Sequence, residues 1–431
     1  MHFIALGSNP ILSLCEINSA TKLPIKSELV VSENILVIDK NDIDTSAIEQ
    51  LGGAIKHGEI FNKTRVFSQE SVEDAIFTYI NKGKFKGKIH FGISVYGDMN
   101  TKHAQRFLTN RNQIGLAIKK RLKDKKLPVR FVVSREKQLS SVVVSTNKLL
   151  TSAGEFVLIV NNDTLWIGRT KWVQDFKYWS QRDFGRPARD PKSGMLPPKL
   201  SRIMINLAGV DPKKSTLLDP FCGSGTIPME ASILGFKKII GADISKKAIH
   251  DSEKNLKWFF NLNKQLAMPI RAQTPLYPCL INGQIGLVES SADDLFRAIC
   301  EPIDAIVTET YLGPPLKGNE NKKQIEKNIE DVMELYRENF PLVLHLLKTG
   351  GKAVIAFPVF CSKDSQIFLP IKELVSECGF DIVDPIPKNV PEKFQMKTKN
   401  GGILYSRPNQ KVAREIIVIQ KNESGKCHRL A

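Results

Sequence analysis

The sequence predicts an α/β protein in which an open, seven-stranded parallel sheet follows a smaller α+β part. Strand-length apolar runs and helical stretches alternate from residue 211 to residue 425, as a parallel sheet requires. A glycine-rich loop, Leu217–Thr226, stands between the first of these strands and a helix. Asp243 ends the next strand, eighteen residues after Gly225. Together these features indicate a nucleotide-type ligand at the carboxyl edge of the sheet.

The overall composition is that of a folded, strongly basic protein. A chain of 431 residues has room for two or three domains, and its net charge of +17 points to a polyanionic partner. The seven cysteines are scattered and form no Cys-x-x-Cys, which predicts a reducing compartment without a disulfide framework or a metal site. The apolar runs have strand length and the first residues lack a basic stretch, so we expect a cytoplasmic protein with no membrane span or signal peptide.

The first 170 residues alternate short strands and helices. Residues 1–60 follow the order βαβαβ, which suits a small ferredoxin-like domain. Residues 61–170 form a second predicted domain, with a helix over Val72–Ile80, a long helix over Thr101–Lys126 and strands that include Ser141–Ser145.

The long helix combines an apolar stripe with a strongly basic face. Between Lys102 and Lys137 twelve lysines and arginines stand against two acids, a net charge of +10. A solvated helix usually mixes both signs, so this one-sided charge favours a phosphate-binding surface. The predicted RNA-binding residues are Lys102, Arg106, Arg111, Lys119, Lys120 and Arg121, with Arg186 from the junction that follows.

Residues 171–210 connect the two parts of the chain. Arginines and aromatic residues are interleaved there with prolines, ahead of a helix predicted over Lys199–Ala208. The segment is either a passive linker or a surface that lines the mouth of the ligand site, and we favour the second interpretation. The catalytic domain is placed over residues 211–431.

The glycine loop carries the strongest chemical signal. Gly223 and Gly225 let a ligand lie against bare backbone, and the helix that follows offers unpaired N–H groups. The loop lacks the Gly-Lys-Ser/Thr of a P-loop and the third glycine of the dinucleotide fingerprint. Asp-Pro-Phe-x-Gly-x-Gly-Thr resembles instead the S-adenosylmethionine loop of class I methyltransferases, whose domain is Rossmann-like, and in particular of enzymes that methylate amino groups of nucleic-acid bases.

That resemblance implies the cofactor contacts. Asp243 would accept hydrogen bonds from the ribose hydroxyls, and Asp293, after the next strand, would accept one from the adenine amine. A helix N-cap is the alternative role for Asp293 and for the neighbouring Asp294, of which we favour Asp293 for the adenine contact. The predicted cofactor-binding residues are Asp219, Phe221, Gly223, Gly225, Thr226, Asp243, Ile244 and Asp293.

A second loop, Glu309-Thr310-Tyr311, follows the strand predicted over Ala305–Thr308 and supplies the candidate catalytic residues. Amino-methylating enzymes usually have Asp/Asn-Pro-Pro-aromatic there: the acid or amide holds the target amine, and the aromatic ring stacks on the extruded base. Here glutamate is one methylene longer and the prolines come later. The loop is therefore rebuilt for the same chemistry, adapted to another substrate group, or inactive.

Four motifs in this order resemble the THUMP-domain tRNA guanosine N2-methyltransferases of archaea and eukaryotes. They are Gly7-Ser8-Asn9-Pro10, Leu51-Gly52-Gly53-Ala54, Phe91-Gly92-Ile93-Ser94 and the glycine loop, and the segment around Gly185-Arg186-Pro187 is similar as well. The resemblance implies a ferredoxin-like domain, a THUMP domain that holds tRNA, and a catalytic domain that methylates N2 of guanosine. It leaves open whether an activating protein subunit is required.

Two other functions remain open from the sequence. A DNA amino-methyltransferase shares the loop and the sheet, but it needs a target-recognition domain for which the chain after Tyr311 has little room. A tRNA-binding protein with a degenerate catalytic domain would explain the altered Glu309-Thr310-Tyr311 loop.

Overall fold

The computed structural model describes residues 1–21, 23, 25, 30–32, 34–39, 43–85, 87–189, 195–264, 270–273, 285–316, 320, 322–361, 365–408 and 410–421. They divide into two compact units. The first comprises Met1–Tyr178 with Pro387–Phe394, and the second comprises Trp179–Ile386 with Gln395–Ala431.

The first unit is built on one mixed sheet with helices packed against it. Its elements are β1 (His2–Leu6), α1 (Pro10–Thr21), β2 (Val30–Ser32), β3 (Ile35–Ile38), α2 (Thr45–Glu49), β4 (Ala54–Thr64), α3 (Gln69–Lys82), β5 (Ile89–Gly97), α4 (Lys102–Asp124), β6 (Val129–Val132), α5 (Ser141–Thr146), β7 (Gly154–Val160) and β8 (Leu165–Val173).

The strand order in this sheet is β2-β3-β1-β4-β8-β7-β5-β6. Strands β1, β3, β4, β8 and β7 pair antiparallel, whereas β5 lies parallel to both β7 and β6. Helices α3 and α4 bury their apolar stripes against the β5–β7 part of the sheet, where Ile76, Phe107, Ile114 and Phe156 share one core. The predicted helices over Val72–Ile80 and Thr101–Lys126 are confirmed.

The prediction of a strand over Ser141–Ser145 is wrong, because these residues form α5. Three consecutive valines favour a strand locally. Ser140 caps the helix instead, since its side chain accepts a hydrogen bond from Val143 N. Val144 is buried with Leu139, Leu149 and Val173, so tertiary packing outweighs local propensity.

A buried ion pair lies inside the first unit. Glu155 Oε1 is 2.7 Å from Lys56 Nζ and accepts a hydrogen bond from Ser94 Oγ, and Glu155 Oε2 accepts one from Thr170 Oγ1 at 2.7 Å. Lys56 Nζ also donates to the carbonyl of Leu139. Both charged side chains are almost fully buried, so each depends on the other for compensation.

We expect Lys56→Met to lower the free energy of unfolding by about 3–5 kcal/mol, because it leaves the Glu155 carboxylate buried without its cation. The double variant Lys56→Met/Glu155→Leu should recover most of that loss. Urea denaturation followed by circular dichroism measures both, and a single variant as stable as the unmodified protein would contradict the assignment.

The second unit contains the predicted parallel sheet. Its elements are α6 (Phe176–Phe184), α7 (Pro198–Leu207), β9 (Thr216–Asp219), α8 (Thr226–Leu234), β10 (Lys238–Asp243), α9 (Lys246–Leu262), β11 (Ile270–Gln273), β12 (Ile285–Glu289), α10 (Ala292–Ala298), β13 (Ile303–Glu309), α11 (Lys322–His345), β14 (Leu347–Cys361), β15 (Gln366–Phe368), α12 (Ile371–Glu377), β16 (Phe380–Val383), β17 (Ile403–Tyr405) and β18 (Val412–Lys421).

The strand order in this sheet is β11-β12-β10-β9-β13-β14-β18-β16, with β15 on β14 and β17 on β18. All seven predicted strands are present, and β11, β15 and β17 are additional. The six strands β9 to β14 are parallel, while β18 runs antiparallel to both β14 and β16. The last two predicted strands, β16 and β18, lie at the edge of the sheet and pair antiparallel with each other, as expected, and β18 lies between β14 and β16. The direction of chain progression reverses at β9, between β10 and β13, which opens a crevice at their carboxyl ends.

Candidate active site

A cavity of about 620 Å³ lies at the carboxyl ends of β9, β10, β12 and β13. Each of these strands contributes the loop that follows it, and α11 closes one side with Tyr336 and Phe340. Met195 and Leu196, from the segment before α7, also line the cavity. Its volume is that of a pocket for a nucleoside-sized ligand.

The two glycines of the loop after β9 are required for different structural reasons. Gly223 has φ +50° and lines the cavity, and a Cβ there would meet no atom within 4 Å. Gly225 has φ +82° and lies against α9, where a Cβ would come within 2.9 Å of Ser252 Oγ. Gly223 therefore leaves open space for a ligand, whereas Gly225 permits close packing of loop and helix.

Three side chains from the next βα unit hold the backbone of this loop. Asp243 Oδ2 accepts a hydrogen bond from Gly223 N at 2.9 Å, and Ser252 Oγ donates to the Gly223 carbonyl at 2.7 Å. Asn255 Nδ2 donates to the carbonyl of Ser224 at 2.9 Å. The loop conformation is thus fixed before any ligand binds.

Carboxylates dominate the charge of the cavity. The pKa of Asp219 is raised to about 8, mainly by burial and in smaller part by the nearby Asp243 and Glu309 carboxylates, even though the Thr308 hydroxyl donates to its Oδ1 at 2.7 Å. Burial also raises the pKa of Asp243 and of Glu309. The three acids line one cavity and repel one another, which favours a cationic ligand.

The Glu309 carboxylate has a charged partner that the sequence did not reveal. Arg414 on β18 donates from Nε to Glu309 Oε1 at 2.5 Å, and its side chain is almost fully buried. The Arg414 guanidinium partly offsets the effect of burial on the pKa of Glu309. The ion pair fixes the position of the Glu309 carboxylate at the cavity wall, and Arg414 supplies the opposite charge.

Thr310 and Tyr311 are held by a buried tyrosine. The hydroxyl of Tyr336 lies 2.6 Å from Thr310 Oγ1 and donates to the carbonyl of Tyr311 at 2.6 Å. The Tyr311 ring itself lines the cavity and is 53% exposed. The backbone of the loop is therefore rigid, while the ring stays available to a ligand.

The structure gathers most of the predicted cofactor residues around this cavity. Asp219, Phe221, Gly223, Thr226, Asp243 and Ile244 line it, and Ile244 is 76% exposed. Asp293 does not line it; its carboxylate lies in the first turn of α10 and pairs with Arg297 at 2.8 Å on the exposed side of that helix. Ser290, Ser291 and Ala292 line the cavity at that position instead.

Arg186 does not lie on the surface, contrary to the prediction that it contacts RNA. Its side chain is 3% exposed, and its Nη1 donates to Thr226 Oγ1 at 2.6 Å. The other two donor nitrogens, Nε and Nη2, are buried and have no hydrogen-bond partner among the residues that the structure describes. A buried guanidinium with unused donors beside the glycine loop suits an anionic group of a ligand.

A buried cluster of charged side chains lies behind the glycine loop, and the sequence did not predict it. Glu230 of α8 accepts from Arg182 Nε at 2.6 Å and from Arg202 Nη2 at 2.6 Å. The Arg182 guanidinium stacks on the Trp179 ring at 4.1 Å. The aromatic and basic residues of the junction therefore fasten α6 and α7 to α8, and no periodic pattern signals this pairing.

The basic face of α4 is largely exposed in the first unit. Lys102, Arg106 and Lys120 are exposed and Lys119 is half-buried, whereas Arg121 pairs with Asp74 at 2.7 Å. Arg111 is the exception, because it is buried and its guanidinium donates to the carbonyls of Ser134, Glu136 and Lys137. We therefore remove Arg111 from the predicted phosphate-binding set.

Two further observations concern the described residues alone. None of their helices is long and apolar enough to cross a membrane. Their His, Cys, Asp and Glu side chains form no group of three that could hold a metal ion.

The parallel sheet with its antiparallel β18, the glycine loop and the acid at the end of β10 define a class I methyltransferase domain. Comparison with known families agrees, since residues 186–358 match the model described as "RMKL-like, methyltransferase domain". The Rossmann-like class I methyltransferase fold predicted from the sequence is confirmed.

Curated relatives narrow the resemblance further. The chain is 29% identical over 210 residues to the tRNA (guanine(10)-N2)-dimethyltransferase of Methanothermobacter thermautotrophicus, covering 48% of this chain and 52% of the relative. It is 28% identical over 238 residues to the protein of the same name from Methanocaldococcus jannaschii, covering 54% and 58%. The chain thus spans about half the length of the curated relatives it matches, and the resemblance to tRNA guanosine N2-methyltransferases inferred from its motifs is confirmed without its THUMP part.

A solved structure supports the fold. TrmN from Thermus thermophilus aligns over 97% of this chain and 99% of its own with a TM-score of 0.52 and 14% identity. The THUMP assignment of residues 61–170 stays a prediction.

The steric effect of a side chain at Gly225 can be measured separately from the effect of its positive φ. We expect Gly225→Ala to lower the free energy of unfolding by about 1–3 kcal/mol more than Gly235→Ala. Gly235 has nearly the same positive φ, +78°, but a Cβ there would meet no atom within 4 Å. Equal losses in thermal or urea unfolding would show that Ser252 does not press on the loop.

Proposed function

We propose that this chain is an S-adenosylmethionine-dependent tRNA methyltransferase that acts on the exocyclic N2 of a guanosine. One observation carries the proposal: a single cavity brings the glycine loop and Asp243 together with Glu309, Thr310 and Tyr311. The names of the curated relatives supply the substrate class.

The residues around the cavity fit S-adenosylmethionine. Its sulfonium and ammonium groups are cations, which the acids Asp219, Asp243 and Glu309 favour. Its carboxylate is an anion, and Arg186, which does not itself line the cavity, places a positive charge behind Thr226. Asp243 would accept hydrogen bonds from the ribose hydroxyls, and the exposed Ile244 would cover the adenine.

The cofactor, when bound, supplies an electrophilic methyl group, and the loop after β13 prepares the amine to receive it. The Glu309 carboxylate accepts a hydrogen bond from the guanine amine, which localises the nitrogen lone pair toward the methyl group. Arg414 fixes the direction of that carboxylate. The Tyr311 ring stacks on the extruded base, and the Glu309 carboxylate takes the proton that the amine loses.

The first unit supplies RNA affinity in this proposal. The exposed lysines and arginines of α4 would contact phosphates of tRNA, in a domain of the THUMP type. Phosphate contacts of this kind make binding steeply salt-dependent, which fits the net charge of +17.

Binding of S-adenosylmethionine should release a proton at pH 7. The pKa of Asp219 in the ligand-free cavity is about 8, so the carboxyl group is mostly protonated there, and a bound cation lowers its pKa. We therefore expect affinity to rise with pH up to about pH 8 and then to level off.

Isothermal titration calorimetry in buffers of different ionisation enthalpy measures the released proton. Asp219→Asn should abolish the release and flatten the dependence of affinity on pH. The same proton release from Asp219→Asn as from the unmodified protein would contradict the role of this acid. Absence of any binding would refute the choice of cofactor.

Glu309→Gln should lower kcat at least about 100-fold, because the amide cannot take the proton from the amine. Transfer of labelled methyl groups to bulk tRNA from a strain lacking the gene measures the rate. Glu373→Gln, on the exposed face of α12, is the matched control and should retain full activity.

The same assay tests the alternative, a tRNA-binding protein with a degenerate catalytic domain. The pairing of the Glu309 carboxylate with Arg414 is the observation that favours this alternative. A protein that binds tRNA and S-adenosylmethionine tightly but incorporates no methyl group would be a binding protein. Methylation of duplex DNA but not of tRNA would support the DNA enzyme instead.

A further inference from the structure

A second cavity, open to solvent and about 500 Å³ in volume, lies along α9. Pro187 forms one side, and residues one turn apart on the helix, among them His250, Lys254 and Trp258, form the other. This groove is defined by Pro187 and by α9 from His250 to Leu262. It is separate from the active-site cavity, and its residues have no role in the reaction proposed above.

The groove combines an aromatic floor with a polar rim. Trp258 is half-buried, so one part of its ring is fixed in the protein while the rest faces the groove. Asn261 places an amide at one end, and Leu262 adds an exposed apolar side chain. A flat aromatic surface edged by an amide and cations suits a nucleobase better than an aliphatic ligand.

The charge around the groove suits phosphate. Glu253, the acid of the groove, is already paired with Lys257 at 2.7 Å, and Asp251 is paired with Lys247 at 2.5 Å. Lys246, Lys254 and Lys264 are exposed and have no acidic partner in the part of the chain that the structure describes. Positive charge therefore continues along α9 beyond both ends of the groove.

The groove is rigidly joined to the candidate active site. Lys247, Ala248 and Asp251 line the active-site cavity from the first turns of α9, and the residues that line the groove begin in the same turns, at His250. Pro187 stands between two anchored neighbours. Arg186 is hydrogen-bonded to Thr226, and Ala188 exchanges two hydrogen bonds of 2.9 Å with the Asn255 side chain.

The same segment continues with a second exposed aromatic residue. Phe184 is 61% exposed, and the Arg189 guanidinium lies 5.6 Å from the centre of its ring. An exposed ring paired with an arginine is a frequent feature of surfaces that bind unpaired bases.

We propose that this groove binds an unpaired nucleotide of the RNA substrate that flanks the target guanosine. Its base stacks on Trp258 beside Pro187, and its phosphates contact Lys254 and Lys257. The inference rests on the proposed function and deepens it, because it assigns RNA contacts to the catalytic unit itself rather than only to the basic face of α4.

Two substitutions test the groove in the full-length protein. Trp258→Ala should raise KM for an unmodified tRNA transcript about tenfold or more, because one stacking contact is lost, while kcat and the Kd for S-adenosylmethionine stay unchanged. Trp258→Phe preserves an aromatic face and should stay within about threefold of the unmodified protein.

Lys254→Glu tests the charge without disturbing the core, since Lys254 is exposed. It should raise KM at low salt by about fivefold or more and reduce the salt dependence of tRNA binding. Lys213→Glu is the matched control, because Lys213 is exposed before β9 and lines neither the groove nor the active-site cavity, and it should leave KM unchanged.

The outcomes separate the two proposals. If the unmodified protein methylates tRNA but Trp258→Ala and Lys254→Glu behave like Lys213→Glu, the groove does not bind RNA. Unchanged KM for tRNA together with a change in oligomeric state of Trp258→Ala, measured by light scattering, would assign the groove to a protein partner and overturn the inference. If the unmodified protein neither methylates nor binds tRNA, the proposed function itself fails.

Discussion

The site depends on three side chains, Asp243, Ser252 and Asn255, which hold the backbone of the glycine loop from β10 and α9. They satisfy one N–H and two carbonyl groups of a loop that has no regular secondary structure of its own. The Asn255 side chain also binds Ala188, so it couples the loop to the segment that carries Arg186 and Pro187. Cavity and groove are thus two sides of one rigid element.

Charge is the second constraint, because acids that share a buried cavity need compensation. Arg414 provides it for Glu309 from behind, whereas Asp219 remains protonated near neutral pH until a cation binds. A fixed arginine on β18 limits where the Glu309 side chain can place its carboxylate.

The sequence predicted the parts of the structure that follow from periodicity and turn chemistry. The seven strands, α4 with its apolar stripe and the glycine loop followed from alternation, helical spacing and the demands of a tight turn. Interactions across long sequence separations did not. Arg414 lies 105 residues from Glu309. Arg186 is buried, although the sequence predicted it on the surface, because it binds Thr226, and only folding brings these two residues together. The helix at Ser141–Thr146 and the position of β18 between β14 and β16 likewise result from tertiary packing.

The central claim is that one cavity presents a methyl donor to the N2 amine of a guanine. The most direct measurement is the identification, by liquid chromatography and mass spectrometry, of the nucleoside that gains a methyl group when tRNA and S-adenosylmethionine are incubated with the protein. We expect N2-methylguanosine or its dimethylated form, formed at least about 100-fold more slowly by Glu309→Gln. A methylated adenosine, or methylguanosine formed equally well by Glu309→Gln, would contradict that claim.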